Sequence, residues 1–204
     1  MAERRSAGLL TAAAMSLALL LGGCGDTSEP GVIQGGQETR ADWTVADTTL
    51  NDTSGADFQL TRDADKKVTL VFFGYTNCPD ICPMVMANLA SAMTRLDDDQ
   101  RARVEVLFVT TDPARDTEEV LRGYLDRYDP SFIGLTGDLA SILELGGSFH
   151  IAIEEGEKLP SGGYDVAHGD QVFFVEEDGS IPMYWSRETS SAVFANDIAT
   201  LLEG

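Results

Sequence analysis

Val68-Thr-Leu-Val-Phe-Phe73-Gly74-Tyr-Thr-Asn-Cys78-Pro79-Asp80-Ile81-Cys82-Pro83 carries the strongest pattern in the chain. Its first six residues are an unbroken β-branched and aromatic run. A run without polar alternation marks a strand covered on both faces. After Gly74 the pattern breaks into small and polar residues and then two Cys-Pro pairs. From about Pro83, a residue suited to a first helical turn, the spacing becomes helical. Met86, Leu89, Met93 and Leu96 recur at steps of three and four and form one apolar stripe.

Working outward, Val104 to Thr110 is a second buried-type strand. Asp116 is expected to cap a helix, with Glu119 three residues on and Val120, Leu121, Tyr124, Leu125 and Tyr128 as its apolar face. Phe132 to Leu135 is a short strand, and Asp138 caps a brief helix that Gly146-Gly147 should end. Phe149 to Ile153 reads as a strand and Glu154 to Gly163 as a polar excursion. Gln171 to Val175 and Ile181 to Trp185 form a hairpin turned at Asp178-Gly179. Ser190 opens a last helix with Val193, Phe194, Ile198, Leu201 and Leu202 inside. This order predicts an α/β fold, a central mixed sheet flanked by helices. A cysteine pair directly after the first buried strand suggests the thioredoxin-like form of it.

Composition narrows the function. The 204 residues suffice for one domain with appendages, and 43% hydrophobic content can supply its core. Acidic residues number 34 against 14 basic ones, a formal charge of −20. That excludes a nucleic-acid binder, which needs a Lys/Arg surface, and a polybasic grip on anionic lipid.

The N-terminus reads as an address. Arg4-Arg5 precedes an uncharged apolar run from Ala7 to Leu21. This is shorter than the roughly 20 residues of a spanning helix and fits a secretory signal. Leu21-Gly22-Gly23-Cys24 resembles the bacterial lipobox, which implies cleavage before Cys24 and lipidation of it. The expected organisation is a signal peptide over 1–23, a flexible Gly/Ser/Thr-rich tether over 24–43 and a folded domain over 44–204. The domain would be held by acyl chains on the extracytoplasmic side of the cell membrane.

With Cys24 lipidated, Cys78 and Cys82 are the remaining thiols. At a helix N-terminus the dipole favours thiolate, so both should be more acidic than an ordinary cysteine. A disulfide across three intervening residues constrains the unfolded chain little, so a structural staple is a poor account of the pair. Thioredoxin-type redox pairs use C-x-x-C; the spacing here is C-x-x-x-C. Two thiolates form an incomplete metal site, and His150, His168, Met84 and Met86 are the candidates to complete it. His150 lies between Phe149 and Ile151 and reads as a partly buried, hydrogen-bonded residue. Met86 heads the apolar stripe and reads as core. His168, in Tyr164-Asp-Val-Ala-His168-Gly169-Asp170, lies in a loop beside a glycine, where reach is easy. Asp112 and Arg115 read as turn residues, with Arg115 able to pair with Asp80 or Asp112.

Phe73-Gly-Tyr-Thr-Asn-Cys78-Pro-Asp-Ile-Cys82-Pro83, Asp112-Pro-Ala-Arg-Asp-Thr117 and Tyr164-Asp-Val-Ala-His168 together resemble the Sco/SenC copper proteins. The resemblance runs from about Thr44 to the C-terminus. It implies a thioredoxin-like fold and one copper ion per chain on Cys78, Cys82 and His168. It also implies a role in assembling the binuclear copper centre of cytochrome c oxidase. The protein would act as a metallochaperone rather than an enzyme, with Cys78 and Cys82 a redox pair if it instead reduces the cysteines of its partner. The implied partners are the copper-receiving subunit of the oxidase and other copper chaperones, met by a monomer. The family commonly has Asp-His-Ser where this chain has Ala167-His168-Gly169, which removes an acceptor beside the histidine.

Overall fold

The run from Val68 forms strand β4 (Val68–Gly74), and all its residues are buried. This computed structural model describes residues 31–40, 42–158, 164–167 and 169–204, with 154–158 and 164–167 described by their backbone alone. Before β4 come β1 (Gln37–Glu38), β2 (Thr49–Asp52), β3 (Asp57–Gln59) and α1 (Leu60–Asp63). After it come α2 (Ile81–Met93), α3 (Asp98–Arg101), β5 (Val104–Thr110), α4 (Glu118–Leu125), β6 (Ile133–Thr136) and α5 (Leu139–Ser148). The chain ends with β7 (Glu154–Lys158), β8 (Tyr164–Ala167), β9 (Val172–Val175), β10 (Met183–Trp185) and α6 (Ser191–Glu203).

Eight strands form one mixed sheet in the order β1-β10-β9-β4-β5-β6-β2-β3, and β7 and β8 pair separately. β4 is central, parallel to β5 and antiparallel to β9. Alternation along it separates two cores. Val68, Leu70 and Phe72 face Met86 and Leu89 of α2, Leu121 of α4 and Phe194 and Ile198 of α6. Val71 and Phe73 face Ile142 and Leu145 of α5 and Phe149 beyond it. Because both faces are covered, the strand needs apolar residues at every position, which is the pattern its sequence shows. The expected thioredoxin-like arrangement, a mixed sheet flanked by helices, is the one found.

The hairpin expected at Asp178-Gly179 joins β9 to β10, with Gly179 at φ 83° and Ser180 donating its amide to the Asp178 carboxylate at 2.9 Å. Asp138 and Ser190 cap their helices as expected. Three local expectations fail. Thr117, not Asp116, caps α4, because the Asp116 side chain is turned into the protein. Gly146-Gly147 does not end α5, which runs on to Ser148. A Cβ on Gly146 would meet Ile153 Cδ1 at 2.8 Å, so that glycine serves close packing, and the chain turns out of the helix at His150 with φ 55°. Residues 151–153 are not a strand; pairing begins at Glu154, inside the segment expected to be irregular.

The described part of the expected 24–43 tether is docked. Gln34, Gly35 and Gly36 donate their amides to the Asp197 carboxylate at 2.7, 2.9 and 3.1 Å, and Trp185 Nε1 donates to it at 2.8 Å. Asp197 is fully buried. The approach requires glycine: a Cβ on Gly35 would meet Val193 at 2.6 Å, and one on Gly36 would meet Met183 at 2.1 Å. β1 then adds to the edge of β10. A segment too polar to pack a core is held by backbone hydrogen bonds to one buried acid. Residues 1–30, including the expected signal and Cys24, lie outside the described residues.

Asp197→Ala should therefore cost about 3 kcal/mol or more in urea unfolding, because it strands several buried donors at once. It should also open residues 31–36 to limited proteolysis. Unchanged stability and unchanged protection would show that the arm is held by something else.

Candidate metal centre

The site is built on the end of β4. A Cβ on Gly74 would meet Cys82 Sγ at 2.9 Å and Phe108 Cε2 at 3.1 Å. The missing side chain is what allows the sulfur to lie against the strand end. Helix α2 starts at Ile81, two residues earlier than its Pro83 suggested, so Cys82 falls in its first turn. The Asp80 side chain makes no capping bond. Instead the Cys82 amide donates to Cys78 Sγ at 3.4 Å, so a sulfur takes one of the amides a helix N-terminus leaves open. Cys78 is half-buried, Cys82 is fully buried, and no disulfide joins them.

This geometry separates the two thiols. The hydrogen bond with Cys78, and then burial, push the Cys82 thiol well above its ordinary pKa. The expectation that both thiols would be acidic is thus wrong for Cys82. The helix dipole acts on it, but its sulfur lies among core side chains where charge is poorly solvated. Met86 is core, as expected, while Met84 is exposed.

Two acids fix the cysteine loop. Asp116 accepts from the Thr76 amide at 2.9 Å, from Thr76 Oγ1 at 2.6 Å and from Thr110 Oγ1 at 2.7 Å. It thereby ties the residue two before Cys78 to the end of β5. Asp112, fully buried, forms an ion pair with Arg115, whose guanidinium lies 6.0 Å from the centre of the Tyr75 ring. Asp112 is thus the acid paired with Arg115, of the two its sequence position allowed.

The histidines part company. His150, expected to be partly buried, is instead exposed, its ring tilted against Trp43 with ring centres 4.2 Å apart. Among the described residues, no group of three His, Cys, Asp or Glu side chains is placed to hold a metal. His168 lies outside the described residues, as does Cys24. Its neighbour Gly169 is described: a Cβ there would meet Ile151 Cγ2 at 2.5 Å and Gln171 Oε1 at 2.8 Å. Packing against Ile151 accounts for the glycine at this position. Val172 pairs with Phe72, so the chain enters β9 at the end of the sheet from which the cysteine loop leaves.

Sequence reasoning missed Gly74 and Thr76 as parts of the site. The first had a signal, a glycine closing an otherwise bulky strand. The second had none, since its partner Asp116 read as a helix cap. Burial outweighs the Thr76 and Thr110 hydrogen bonds and raises the Asp116 carboxyl above its ordinary 3.8. The folded protein then holds a proton there that the unfolded chain has released, so this group's contribution to stability falls as pH rises through the window above 3.8. Asp116→Asn should flatten that part of the pH profile of urea unfolding; an unchanged profile would show that Asp116 titrates normally.

Comparison with known proteins fits this construction. A family model described as SCO1/SenC matches residues 36–203, and the chain belongs to that family. The mitochondrial SCO2 homolog of Danio rerio is 34% identical over 130 residues, 63% of this chain and 47% of that protein. The chain spans about half the length of the curated relatives it matches. The solution structure of apo Sco1 from Thermus thermophilus superposes with a TM-score of 0.71 at 32% identity, over 82% of this chain and 95% of that one. Yeast Sco1 with copper bound superposes with a TM-score of 0.72 at 25% identity, over 79% and 89%.

Proposed function

We propose that this member of the SCO1/SenC family is a membrane-anchored, extracytoplasmic copper chaperone. Its cargo is one copper ion held by Cys78, Cys82 and His168, destined for the binuclear copper site of cytochrome c oxidase. The observation that carries the reading is two cysteines brought together at a helix N-terminus, one buried and one half-exposed, with Cys78 Sγ accepting from the Cys82 amide. Two thiolates suit Cu(I), and an added imidazole nitrogen suits Cu(II). The reading of His168 as the third ligand is supported by the entry of the chain into β9 at the cysteine end of the sheet. The copper-bound relative supports the choice of metal.

Each part of the site has a task in loading and release. Cys78, half-exposed, is the sulfur an incoming donor meets first. Cys82 must lose its proton to bind, and its buried position opposes the thiolate until copper compensates the charge. Gly74 and the Asp116–Thr76 contacts keep the two sulfurs in place with and without cargo. A net charge of −20 suits approach by a cation or by a basic partner surface.

Anchoring follows from Cys24. Among the described residues no helix is long and apolar enough to cross a membrane. A lipid on Cys24 leaves ten residues to the Gln34 amide, at most roughly 35 Å of extended chain, so the domain stays close to the bilayer surface. The second reading is reduction of the partner's cysteines by Cys78 and Cys82. It is favoured by the same closeness of the two cysteines, which would let them form a disulfide.

His168→Ala separates the two readings. A ligand role predicts loss of most Cu(II) binding and of the thiolate-to-Cu(II) absorption, with Cu(I) partly retained by the two sulfurs. A Cu(II) spectrum and affinity equal to wild type would remove His168 from the site and favour the reductase.

A further inference from the structure

Arg187 lies in the turn between β10 and α6, closed by the Thr189 amide donating to Ser186 O at 3.1 Å. Its guanidinium meets two carboxylates. Nε donates to Glu188 at 2.8 Å, and Nη1 pairs with Asp170 Oδ2 at 3.1 Å. The hydrogen bond to Glu188, then the charges of Asp170 and Glu188 and, more weakly, of Asp80, raise its pKa further. Asp80 stands between the two cysteines, and Asp170 is the second residue after His168. The same turn also grips the helix that carries Cys82: Asn88 Nδ2 of α2 donates to Thr189 O at 3.2 Å. One five-residue connection, Ser186 to Ser190, therefore meets both segments from which the ligands come.

Electrostatics gives the juxtaposition a purpose. The cysteine loop and the entry to β9 each bring a carboxylate to the same end of the sheet, in a chain of charge −20 with 14 basic residues. Without a cation beside it, the Asp170 charge would stand uncompensated on the segment that enters β9. Arg187 supplies that cation.

We propose that Arg187 is a positioning residue of the copper site. Anchored by the β10–α6 turn, which also holds α2 through Asn88, it draws the Asp170 end of the β9 entry toward the helix that carries Cys82 and so sets the approach of the histidine-bearing segment to the two thiols. The inference rests on the copper reading above. It differs from a merely structural salt bridge in what it controls. Binding that needs the nitrogen ligand depends on Arg187, and binding by the two sulfurs alone does not. Because the pair is partly exposed, its effect weakens as salt rises.

The test uses the full chain with wild type, Arg187→Ala, Arg187→Glu, Arg187→Lys, Asp170→Asn, the Arg187→Ala/Asp170→Asn double variant and His168→Ala. Cu(II) and Cu(I) affinities are measured at low and high salt. Hydrogen exchange of the Gly169 to Gln171 amides is followed in the metal-free protein. Arg187→Ala should weaken Cu(II) binding roughly fivefold, the upper end for an exposed pair. Arg187→Glu should weaken it roughly tenfold or more by setting a like charge against Asp170. Lysine should rescue much of the loss, Cu(I) affinity should stay near wild type, and the amides should exchange faster in the alanine variant. The double variant should be no worse than the single one, as for two members of one interaction. If Arg187→Ala and Arg187→Glu match wild type while His168→Ala loses Cu(II), the inference is overturned and the copper reading stands. If the two losses simply add in the double variant, the pairing with Asp170 is overturned. If His168→Ala itself matches wild type, the copper reading falls and takes this inference with it.

Discussion

The contact between Cys82 Sγ and the Gly74 end of β4 is the constraint from which the site follows. It lets a sulfur sit where a side chain would otherwise stand, directly on the most buried strand of the sheet. The first turn of α2 is thereby fixed against the core, and Cys78 reaches back to the open amide of Cys82. A thiol placed this way is expensive to ionise in the empty protein, which suits a group that should bind a metal and otherwise stay inert. The half-exposed Cys78 supplies access; the buried Cys82 supplies position.

Around this contact the chain uses buried acids as fasteners. Asp116 holds Thr76, Asp112 pairs with Arg115, and Asp197 gathers three successive amides of the N-terminal arm. Each satisfies backbone or side-chain donors that would otherwise lie unpaired in the interior, the condition under which buried acids are tolerated. The effect is to dock loops that lack apolar residues of their own. A net charge of −20 thus has two populations: many surface carboxylates that repel one another, and a few interior ones that hold the site and the arm in place.

Much of the fold was legible because its central strands are covered on both faces. Val68 to Phe73 and Val104 to Thr110 have no polar face to hide, so their character is visible residue by residue. The hairpin at Gly179 was legible because the turn demands a positive φ. The edges were not. β1, β2 and β3 are short and partly exposed, and pairing rather than side-chain burial defines them. Gly146 looked like a helix stop because a glycine kept for close packing and one kept for a left-handed turn are the same letter. Likewise Asp116 had the sequence position of a cap, and only the fold shows that Thr76 and Thr110 claim its oxygens. The cysteine pair was legible from its spacing and its place directly after the first buried strand, but the burial that divides its two members was not, since α2 starts two residues earlier than Pro83 and takes Cys82 into its first turn.

The central claim is that two sulfurs of unequal exposure and one imidazole nitrogen make a single copper site. X-ray absorption at the copper edge of the full chain, loaded with one equivalent of Cu(II), reads that ligand set without any substitution. Two sulfur ligands and at least one histidine nitrogen in the same copper shell are predicted. A shell with fewer than two sulfurs, or of oxygen and nitrogen alone, would contradict the account, because the thiol pair held by Gly74 and α2 would then not be where copper binds.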